Sequence, residues 1–442
     1  MRFLGVTETC DLGSLYMRLL AEGHEVKVFV EDEGARETMA GLVPRTADWR
    51  SELGWVGRDG IILFEAVSEG YGALQDALRG QGHRVIGGSA FGDRLENDRA
   101  FAQQLLASLG LQVAAVHEFR DAAAGDIFLA ARPGRYVLKF SGPDFASSDN
   151  YVGRMPDGAD VRAMLAARFR SRRGESAPYI LMDHVEGVEM GVGAYFDGTR
   201  FLAPACLDWE HKRFFAGDMG ELTGEMGTVA TFERSRRFFD LTLGRVAPLL
   251  REHGHVGYVN LNTIVNAAGI WPLEFTCRFG YPGFAVLEPL QALGWGELFG
   301  AMASRTARAF PTRPGFCTGI VLTTPPFPYT RKQVEEPVGL PVLLDGTLDA
   351  EDRRNLHYGE VGLVDGALAT SGLYGWTMVA TGTGTTPAAA RAAAYARAGQ
   401  VFVPGLRYRL DIGDRLIASD YEAVAGLGLF STDSEPRSAA DR

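Results

Sequence analysis

The run DWEHKRFFAGDMGELTGEMGT, residues 208–228, places charged side chains of both signs beside several glycines. Asp208, His211, Lys212 and Arg213 lie close together at its start. A buried core segment would exclude such a density of charge, and a simple solvated loop would not need it. Cations grouped beside permissive glycine backbone can form a local anion pocket. We therefore treat this run as the first candidate for chemistry.

A second candidate is GYVNLNTIVNAAGIWPLEFTCRFG, which predicts two antiparallel strands joined by a turn around residues 267–269. This pairing would place Asn262 within cross-strand reach of Glu274. Thr276 lies two residues after Glu274 and therefore shares its face of the strand. Oxygen ligands grouped in this way suit Mg²⁺, which keeps several waters and the phosphates of a nucleotide in its shell. Arg278 is an alternative charge partner for the Glu274 carboxylate.

RYVLKFSG predicts a strand that carries Lys139 into the polar loop SGPDFASSDNYVG. Two interpretations of this lysine are open. A lone lysine can protect an exposed edge strand from pairing with another chain. Cations are rare at buried strand positions, however, and this rarity favours a functional lysine. Lys139 would then face the phosphates of a nucleotide beneath a closing flap over residues 141–152.

The segment YILMDHVEGVEMGVGAYFDG predicts two strands around a short break, with Glu186-Gly187 ahead of Glu189. One interpretation is a hinge whose main chain faces an adenine edge, followed by a carboxylate that reaches ribose hydroxyls. The other interpretation is an acidic hairpin with no ligand. This segment alone favours neither.

The residues before position 98 predict a small α/β unit. RFLGV, SLYMRLLAEG and EVKVFVED predict strand, helix and strand, because a short apolar run gives way to helical spacing and returns after glycine. GIILFE, YGALQDALRGQG and RVIGG repeat that pattern. We therefore expect a doubly wound domain with a mostly parallel sheet over residues 1–97. The loop TETCDLGS after the first strand is not GxGxxG, which argues against the usual dinucleotide site.

A second unit is expected over residues 98–311, with a flap subdomain at about 115–182. Its first helix is predicted from ENDRAFAQQLLASLGL, whose apolar residues follow helical spacing. Asn97 or Asp98 would cap the start of this helix, and Gly110 would end it.

A third, β-rich region is expected over residues 312–430. GFCTGIVLTTPPFP predicts a strand that stops at consecutive prolines, because proline cannot donate to a strand ladder. EVGLVDGALATSG and GWTMVATGTG predict further strands, and an alanine-rich helix follows at 387–399. The polar end, STDSEPRSAADR, is predicted to be disordered over residues 431–442.

Composition limits the function classes. A chain of 442 residues suggests roughly two to four domains. The formal net charge of −11 argues against a broad nucleic-acid or anionic-membrane surface. The cysteines are scattered without a CxxC pair, so neither a zinc ribbon nor a disulfide framework is indicated, and a reducing cytoplasm is expected. The sequence has no long uninterrupted apolar stretch.

Three separated segments resemble the ATP-grasp ligases, and among them phosphoribosylamine–glycine ligase (glycinamide ribonucleotide synthetase). DWEHKRFFAGDMGELTGEMGT resembles DHKR…GDxGPNTGGMG, and LEFTCRFGYP resembles LEFNCRFGDPE. TMVATGTGTTPAAARAAAYARAG…YRLDIG resembles VVATGDTLAEAR…YRxDIG, and the three segments stand in the family's order. The resemblance covers most of the chain. It implies an α/β and α+β multidomain protein with an ATP-grasp fold, an N-terminal doubly wound preATP-grasp domain and a C-terminal β-rich domain.

The resemblance also implies a nucleotide site. Lys139 would be the phosphate lysine on the flap strand, and Arg99 stands where a nucleotide-contacting lysine is common. Asp183 and Val185 would bind adenine through their main chain. Glu189 would bind the ribose.

The implied metal ligands are Asn262, Glu274 and Thr276. Here threonine replaces the family's usual asparagine, which leaves one charged ligand. Lys212, Arg213 and Arg278 would contact the transferred phosphoryl group and the carboxylate substrate. His211 is a candidate for proton transfer, although a structural role is favoured for a histidine between charged neighbours.

The chain departs from the family at expected substrate contacts. The family's GNGGREHA-type phosphate loop is replaced by VTETCDLGSLY, in which Glu8 and Asp11 would repel a phosphate. A late NGGR-like segment is altered to SGLYGW. The glycine pair of TGGMG becomes Gly224-Glu225, and GDPE becomes GYPG at residues 280–283.

The expected protein is an ADP-forming ATP-grasp ligase that joins a small-molecule carboxylate to an amine other than phosphoribosylamine, in purine biosynthesis-like chemistry. ATP and Mg²⁺ are the expected cofactors, with Mn²⁺ as an alternative metal. No nucleic-acid or membrane partner is expected, and the chain would be a monomer or homodimer. The alternatives are a genuine phosphoribosylamine–glycine ligase and a non-catalytic ATP-binding regulator.

Overall fold

The computed structural model describes residues 1–65, 70–140, 150–171 and 178–432. The chain begins with strands that alternate with helices, in the order β1 (Arg2–Thr7), α1 (Gly13–Ala21), β2 (Glu25–Val30), α2 (Leu53–Val56), β3 (Ile61–Phe64), α3 (Tyr71–Gly80), β4 (Arg84–Ile86) and α4 (Ala90–Asn97). The four strands form a parallel sheet in the order β2-β1-β3-β4. The central strands β1 and β3 are almost fully buried, as expected for apolar strands covered on both faces. The predicted doubly wound unit is confirmed.

A second, antiparallel sheet follows. Its region contains α5 (Arg99–Ser108), β5 (Val116–Phe119), α6 (Ala122–Ala131), β6 (Tyr136–Phe140), β7 (Tyr151–Val152), α7 (Ala159–Ser171) and β8 (Tyr179–Asp183). The strand order is β5-β8-β6-β7. Asp98 caps α5, because its Oδ1 accepts a hydrogen bond from the Phe101 amide at 3.0 Å. Since β6 lies between β8 and β7, Lys139 is not on an edge strand, and the edge-protection interpretation is wrong.

The largest sheet is antiparallel and has eight strands. The central part of the chain contains β9 (Val188–Phe196), β10 (Cys206–Glu210), β11 (Arg213–Phe215), β12 (Met219–Leu222), β13 (Gly227–Thr231), α8 (Arg236–Leu241), α9 (Ala247–Glu252), β14 (Gly257–Asn266), β15 (Gly269–Thr276), α10 (Gly283–Leu287) and α11 (Trp295–Ala303). The predicted antiparallel pairing of β14 with β15 is confirmed, and Asn262 lies opposite Glu274. β8 and β9 belong to different sheets, so the acidic-hairpin interpretation of Glu186-Gly187 is wrong.

The C-terminal region continues this large sheet. Its elements are β16 (Phe316–Thr323), β17 (Leu343–Leu344), α12 (Ala350–Arg354), β18 (Leu356–Tyr358), β19 (Val361–Val364), β20 (Ala367–Thr370), β21 (Trp376–Gly384), α13 (Pro387–Ala398), β22 (Val401–Phe402) and α14 (Tyr421–Gly426). The strand order is β15-β14-β9-β10-β13-β16-β21-β18. The sheet therefore crosses the predicted domain boundary at residue 311, and the domain division stays a prediction.

Two predictions fall largely on residues outside the described ranges. The predicted flap over residues 141–152 includes 141–149, and the predicted disordered tail includes 433–442. Neither is tested by the structure. None of the helices within the described ranges is long and apolar enough to cross a membrane.

Candidate active site

The register of the large sheet brings polar side chains from β9, β10 and β14 into one row. Asn262 on β14 and Asp208 on β10 both lie opposite Gly191 on the intervening strand β9. A Cβ atom at Gly191 would lie 2.1 Å from Asp208 Oδ1, so the missing side chain makes room for the carboxylate. The next pair along β14, Asn260 and Gly193, repeats the arrangement. Glycines on the middle strand therefore let polar groups from both neighbours meet.

Lys212 lies at the centre of a cluster of carboxylates. Its Nζ is 3.0 Å from Glu274 Oε1, 3.3 Å from Glu210 Oε2 and 3.5 Å from Glu189 Oε1. Burial opposes the charged amine, but these three carboxylates raise the pKa of Lys212 well above its ordinary value. Lys212 in turn holds the pKa of Glu274 far below the usual range for glutamate. Both partners of this ion pair are therefore charged at neutral pH.

Two further cations reach the cluster from outside the large sheet. Arg99, on α5, places its Nη2 atom 3.8 Å from Glu274 Oε2. Lys139, on β6, also lowers the pKa of Glu274 through its charge. Burial lowers the pKa of Lys139 to about 8, and the neighbouring charge of Arg99 contributes. The site therefore lies where the second sheet faces the large one.

Two cations of this site, Lys139 and Arg99, are available to an anion. Within the described part of the chain, the Lys139 amine forms no side-chain hydrogen bond or ion pair. Arg99 and Glu274 act on it only through their charge. Arg99 is only loosely paired at 3.8 Å. Cations held in place without tight partners are suited to phosphate oxygens, because charge-assisted hydrogen bonds to phosphate are strong. The phosphate-binding roles of Lys139 and Arg99 stay predictions.

The predicted metal ligands are partly assembled. Asn262 Nδ2 donates a hydrogen bond to Glu189 Oε1 at 2.8 Å, and Glu274 lies opposite Asn262 on β15. Carboxylate and amide oxygens are the hard donors that Mg²⁺ prefers, so this donor set fits the ion. Thr276 lies opposite Asn260, two residues farther along the strand. Among the residues that the structure describes, no three His, Cys, Asp or Glu side chains are already arranged around a metal position.

Three carboxylates of this region were given no role from the sequence: Asp208 and Glu225, which are buried, and Glu210, which is half-buried. Asp208 Oδ2 accepts a hydrogen bond from Asn260 Nδ2 at 2.7 Å, and burial raises the pKa of Asp208 to about 8. Burial also raises the pKa values of Glu210 and Glu225. The alternation of Asp208, Glu210 and Lys212 along the chain is a signal in the sequence, because residues two apart in a strand share one face. No comparable local pattern marks Glu225.

Two of the four predicted catalytic residues, Arg213 and His211, form hydrogen bonds with main chain rather than with the Lys212 cluster. Arg213 Nη1 donates to the Gly220 carbonyl at 2.8 Å, within the β11–β12 hairpin. His211 Nε2 accepts a hydrogen bond from the Gly413 amide at 3.2 Å, and burial and the charge of Arg409 lower the pKa of His211. A neutral histidine bound to main chain in this way is consistent with the structural interpretation. The proton-transfer role of His211 stays a prediction.

Arg278 and the predicted adenine hinge lie at the margins of the site. Arg278 Nη2 is 3.0 Å from Glu96 Oε1, so its charge is already paired. The Asp183 amide donates to the Ala115 carbonyl at 2.9 Å, and Asp183 Oδ1 is 3.3 Å from His117 Nε2. Val185 is half-buried in the connection between β8 and β9. The adenine role of Asp183 and Val185 stays a prediction.

Known proteins resemble this chain over most of its length. Residues 97–284 match a family model described as phosphoribosylglycinamide synthetase, ATP-grasp (A) domain. Phosphoribosylamine–glycine ligase from Neisseria meningitidis serogroup B is 26% identical over 362 residues, which cover 78% of this chain and 81% of the relative. The chain therefore resembles this enzyme over most of its length, and its central part resembles the ATP-grasp domain. The corresponding ligase from Mycobacterium bovis is 28% identical over 376 residues, covering 81% of this chain and 84% of the relative.

Solved structures share the fold of this chain. Phosphoribosylamine–glycine ligase from Thermotoga maritima superposes with a TM-score of 0.70 at 20% identity and covers 93% of this chain and 100% of its own. The L-amino acid ligase from Bacillus licheniformis gives a TM-score of 0.57 at 13% identity, covering 91% of this chain and 98% of its own. The predicted ATP-grasp architecture is confirmed.

Proposed function

We propose that this ATP-grasp ligase joins a small carboxylate to an amine through an acyl phosphate, and that the amine is not phosphoribosylamine. The single observation that carries the proposal is the convergence of Lys139, Arg99 and Lys212 around Glu274. Arg99 lies on α5, Lys139 on β6 and Lys212 between β10 and β11. Three cations gathered near one carboxylate can bind several anionic groups. ATP and a carboxylate are the anions that a ligase must bring together.

The chain's own residues would act by position and charge. Lys139 and Arg99 would hold the phosphate oxygens, and Lys212 would balance charge beside the attacking carboxylate. The substrate carboxylate would attack the terminal phosphorus, forming an O–P bond as ADP leaves. The amine nitrogen would then attack the acyl carbon, forming the C–N bond as phosphate departs and the nitrogen loses a proton. Phosphoryl transfer depends mainly on such positioning and charge stabilisation.

We further propose that Mg²⁺ takes part, held by Glu274 and Asn262 with Glu189 beside them. The bound ion would supply positive charge at the phosphoryl oxygens. In this structure Glu274 is neutralised by Lys212 at 3.0 Å, so Lys212 would turn toward a phosphate when the ion binds. The ribose role of Glu189 remains a proposal, because Glu189 contacts Asn262 and Lys212 here. A cytoplasmic monomer or homodimer is the proposed state of the enzyme.

A second candidate function is phosphoribosylamine–glycine ligase itself. It is supported by relatives of that name at 26% and 28% identity over about four fifths of the chain. It is opposed by the altered loops at Asp11 and at residues 280–283, which lie at expected substrate contacts. A non-catalytic ATP-binding regulator is a further alternative.

The test is ADP release over a panel of carboxylates and amines, with hydroxylamine included as a small trap for the acyl phosphate. Hydroxamate formation reports the first half of the reaction without the native amine. We expect Glu274→Gln to reduce this signal on the order of a hundredfold, because a group that positions the phosphoryl oxygens is lost. Glu25→Gln is a matched control, since Glu25 forms an exposed ion pair with Arg2 and should not affect activity.

Each outcome separates the candidates. Hydroxamate formation that is lost in Glu274→Gln and retained in Glu25→Gln supports the proposed ligase. Efficient turnover of phosphoribosylamine with glycine would establish the second candidate instead. ATP binding without ADP release on any pair would indicate the regulator.

A further inference from the structure

The β11–β12 hairpin carries Lys212 at its base and lies outside the large sheet. The Lys212 carbonyl accepts hydrogen bonds from the Thr223 amide and the Thr223 hydroxyl, both at 2.8 Å. The two strands form a two-stranded sheet of their own. A hairpin of two strands is marginally stable in water, so contacts with the rest of the chain must fix its position. The position of the hairpin in turn determines where the Lys212 backbone lies.

The turn of this hairpin, over residues 216–218, depends on polar contacts. Phe215 and Met219, which flank the turn, are 53% and 60% exposed. Asp218 has a φ of 55°, a left-handed conformation that is uncommon for residues other than glycine. A residue keeps such a conformation where its surroundings favour it. Burial does not supply this support here, so it must come from hydrogen bonds and ion pairs.

A buried arginine of the C-terminal region supplies these contacts. Arg409 Nη1 donates to the Arg213 carbonyl at 3.0 Å, and Arg409 Nη2 donates to Asp218 Oδ1 at 2.7 Å. The guanidinium therefore binds the hairpin at the residue after Lys212 and again at the turn. The Arg409 side chain is only 2% exposed. Charge-assisted hydrogen bonds in such surroundings are strong, because little water competes for the same groups.

Asp411 orients this arginine and adds a contact of its own. Arg409 Nε lies 2.5 Å from Asp411 Oδ1, and Asp411 Oδ2 accepts a hydrogen bond from the Gly217 amide at 2.8 Å. On the other side of Lys212, the hydrogen bond from the Gly413 amide to His211 Nε2 ties the end of β10 to the same segment. Residues 409–413 therefore hold the chain before and after Lys212.

The segment 409–413 is itself anchored to α13. The Tyr395 hydroxyl donates to the Arg409 carbonyl at 2.8 Å, and Arg391 Nε donates to the Ile412 carbonyl at 2.9 Å. Tyr395 and Arg391 are four residues apart on α13 and therefore share one face of the helix. The segment thus gives the hairpin a fixed base, although the two are far apart in the sequence.

We propose that Arg409 is a positioning residue of the ligase, which holds the β11–β12 hairpin so that the Lys212 amine stays within its cluster of carboxylates. This inference rests on the proposed function, in which Lys212 balances charge beside the attacking carboxylate. Arg409 would act through the hairpin rather than on the substrate. Without it, Lys212 would leave the cluster more easily, and phosphoryl transfer would slow because it depends on the position of charge.

The experiment compares Arg409→Ala with the parent chain in two assays. We expect hydroxamate formation to fall roughly tenfold to a hundredfold, because Lys212 is no longer held in position. The Kd for a fluorescent ATP analogue, measured without Mg²⁺, should stay unchanged, because Lys139 and Arg99 are carried by other elements. A general loss of structure would weaken both.

Rescue and control variants separate positioning from damage to the fold. Added guanidinium ion should restore part of the hydroxamate formation of Arg409→Ala, because it can pair with the carboxylates that the variant leaves without a partner. Asp218→Gly is a milder variant, since Asp218 is half-exposed and glycine adopts the same φ freely, and it should show a smaller loss. Arg397→Ala is the matched control, because Arg397 pairs with Asp352 at 3.0 Å in the same C-terminal region.

The position of Lys212 can also be followed without turnover, because the chain contains only four lysines: Lys27, Lys139, Lys212 and Lys332. Lysine labelled with ¹³C at Cε gives one NMR signal for each. Burial opposes the charge of Lys212, but the nearby carboxylates raise its pKa in the parent chain. In Arg409→Ala its titration midpoint should fall by about one pH unit toward the ordinary lysine value, because these ion pairs loosen.

Loss of hydroxamate formation with intact ATP affinity and a lower Lys212 midpoint would support the proposal. Unchanged hydroxamate formation in both Arg409→Ala and Asp218→Gly would overturn it. An equal loss in Arg397→Ala, or a parallel loss of ATP affinity, would also overturn it, because the effect would then be a general loosening of the fold. Absence of hydroxamate formation in the parent chain would contradict the ligase function instead, and the Lys212 midpoint alone would then decide the role of Arg409.

Discussion

At the scale of single residues, the protonation of Lys139 should control nucleotide affinity. Burial lowers the pKa of Lys139 to about 8, so its charge is lost as the pH rises through that value. A neutral amine no longer attracts phosphate. We therefore expect the Kd for ATP to increase about tenfold between roughly pH 7 and pH 9. Titration with a fluorescent ATP analogue at several pH values measures this.

Lys139→Arg provides the matched comparison, because a guanidinium remains charged throughout this range. Its affinity should change little with pH. Lys27→Arg controls for the substitution itself, since Lys27 pairs with Glu52 on the N-terminal sheet. An equally steep rise of Kd in Lys139→Arg would assign the pH dependence to another group.

At the scale of elements, the glycines of β9 should matter because of their position in the sheet. Gly191→Ala would place a Cβ 2.1 Å from Asp208 Oδ1, so the carboxylate or the strand must move. We expect stability to fall by about 1–3 kcal/mol, as for other overpacked core positions. Hydroxamate formation should fall more than this loss of folded protein explains, because β9 also carries Glu189. Denaturant melts and activity at low temperature separate the two effects.

Gly80→Ala is the control for this element. Gly80 ends α3, and a Cβ there would meet no atom within 4 Å. The substitution should be neutral or slightly stabilising, because alanine has the higher helix propensity. Normal activity in Gly191→Ala would contradict the proposal that the glycines of β9 make room for the polar side chains of the site.

Elements also show what the sequence can predict. The antiparallel pairing of β14 with β15 was predictable from the short turn between them. The register shift between Asn262 and Thr263, which sets Asn262 opposite Glu274, has no such local signal. The partner of His211 was not predictable either, since Gly413 lies about two hundred residues later in the chain. The separation of β8 and β9 into different sheets, and the continuation of the large sheet through β16, are likewise set by long-range pairing. Local patterns predict elements and their neighbours, whereas convergence of distant segments has no local signal.

At the scale of the whole molecule, buried acids in separate regions should make stability depend on pH. Burial raises the pKa of Glu65 near the N-terminal sheet to about 8, that of Asp208 on β10 to about 8 and that of Glu360 near β19 to about 7. These groups keep their protons in the folded state at pH values where the unfolded chain has released them. The folded state therefore binds more protons, and stability falls as the pH rises through this window.

We expect the thermal midpoint to be a few degrees lower near pH 8 than near pH 7. Burial lowers the pKa values of His255 and His357, so these histidines make stability rise with pH at lower pH. The thermal midpoints should therefore be compared above about pH 6.5. Lys139 opposes the trend only above pH 8, where its folded form releases a proton first.

Glu65→Gln isolates one of these acids, because glutamine keeps an oxygen for the Leu12 amide and cannot ionise. Its thermal midpoint should change less between pH 7 and pH 8 than that of the parent chain. Glu25→Gln, on an exposed residue, should leave the slope unchanged. A thermal midpoint that rises with pH in the parent chain would contradict this prediction, because the buried carboxylates would then be ionised. Cations elsewhere in the fold would have to offset the free-energy cost of burying these charges.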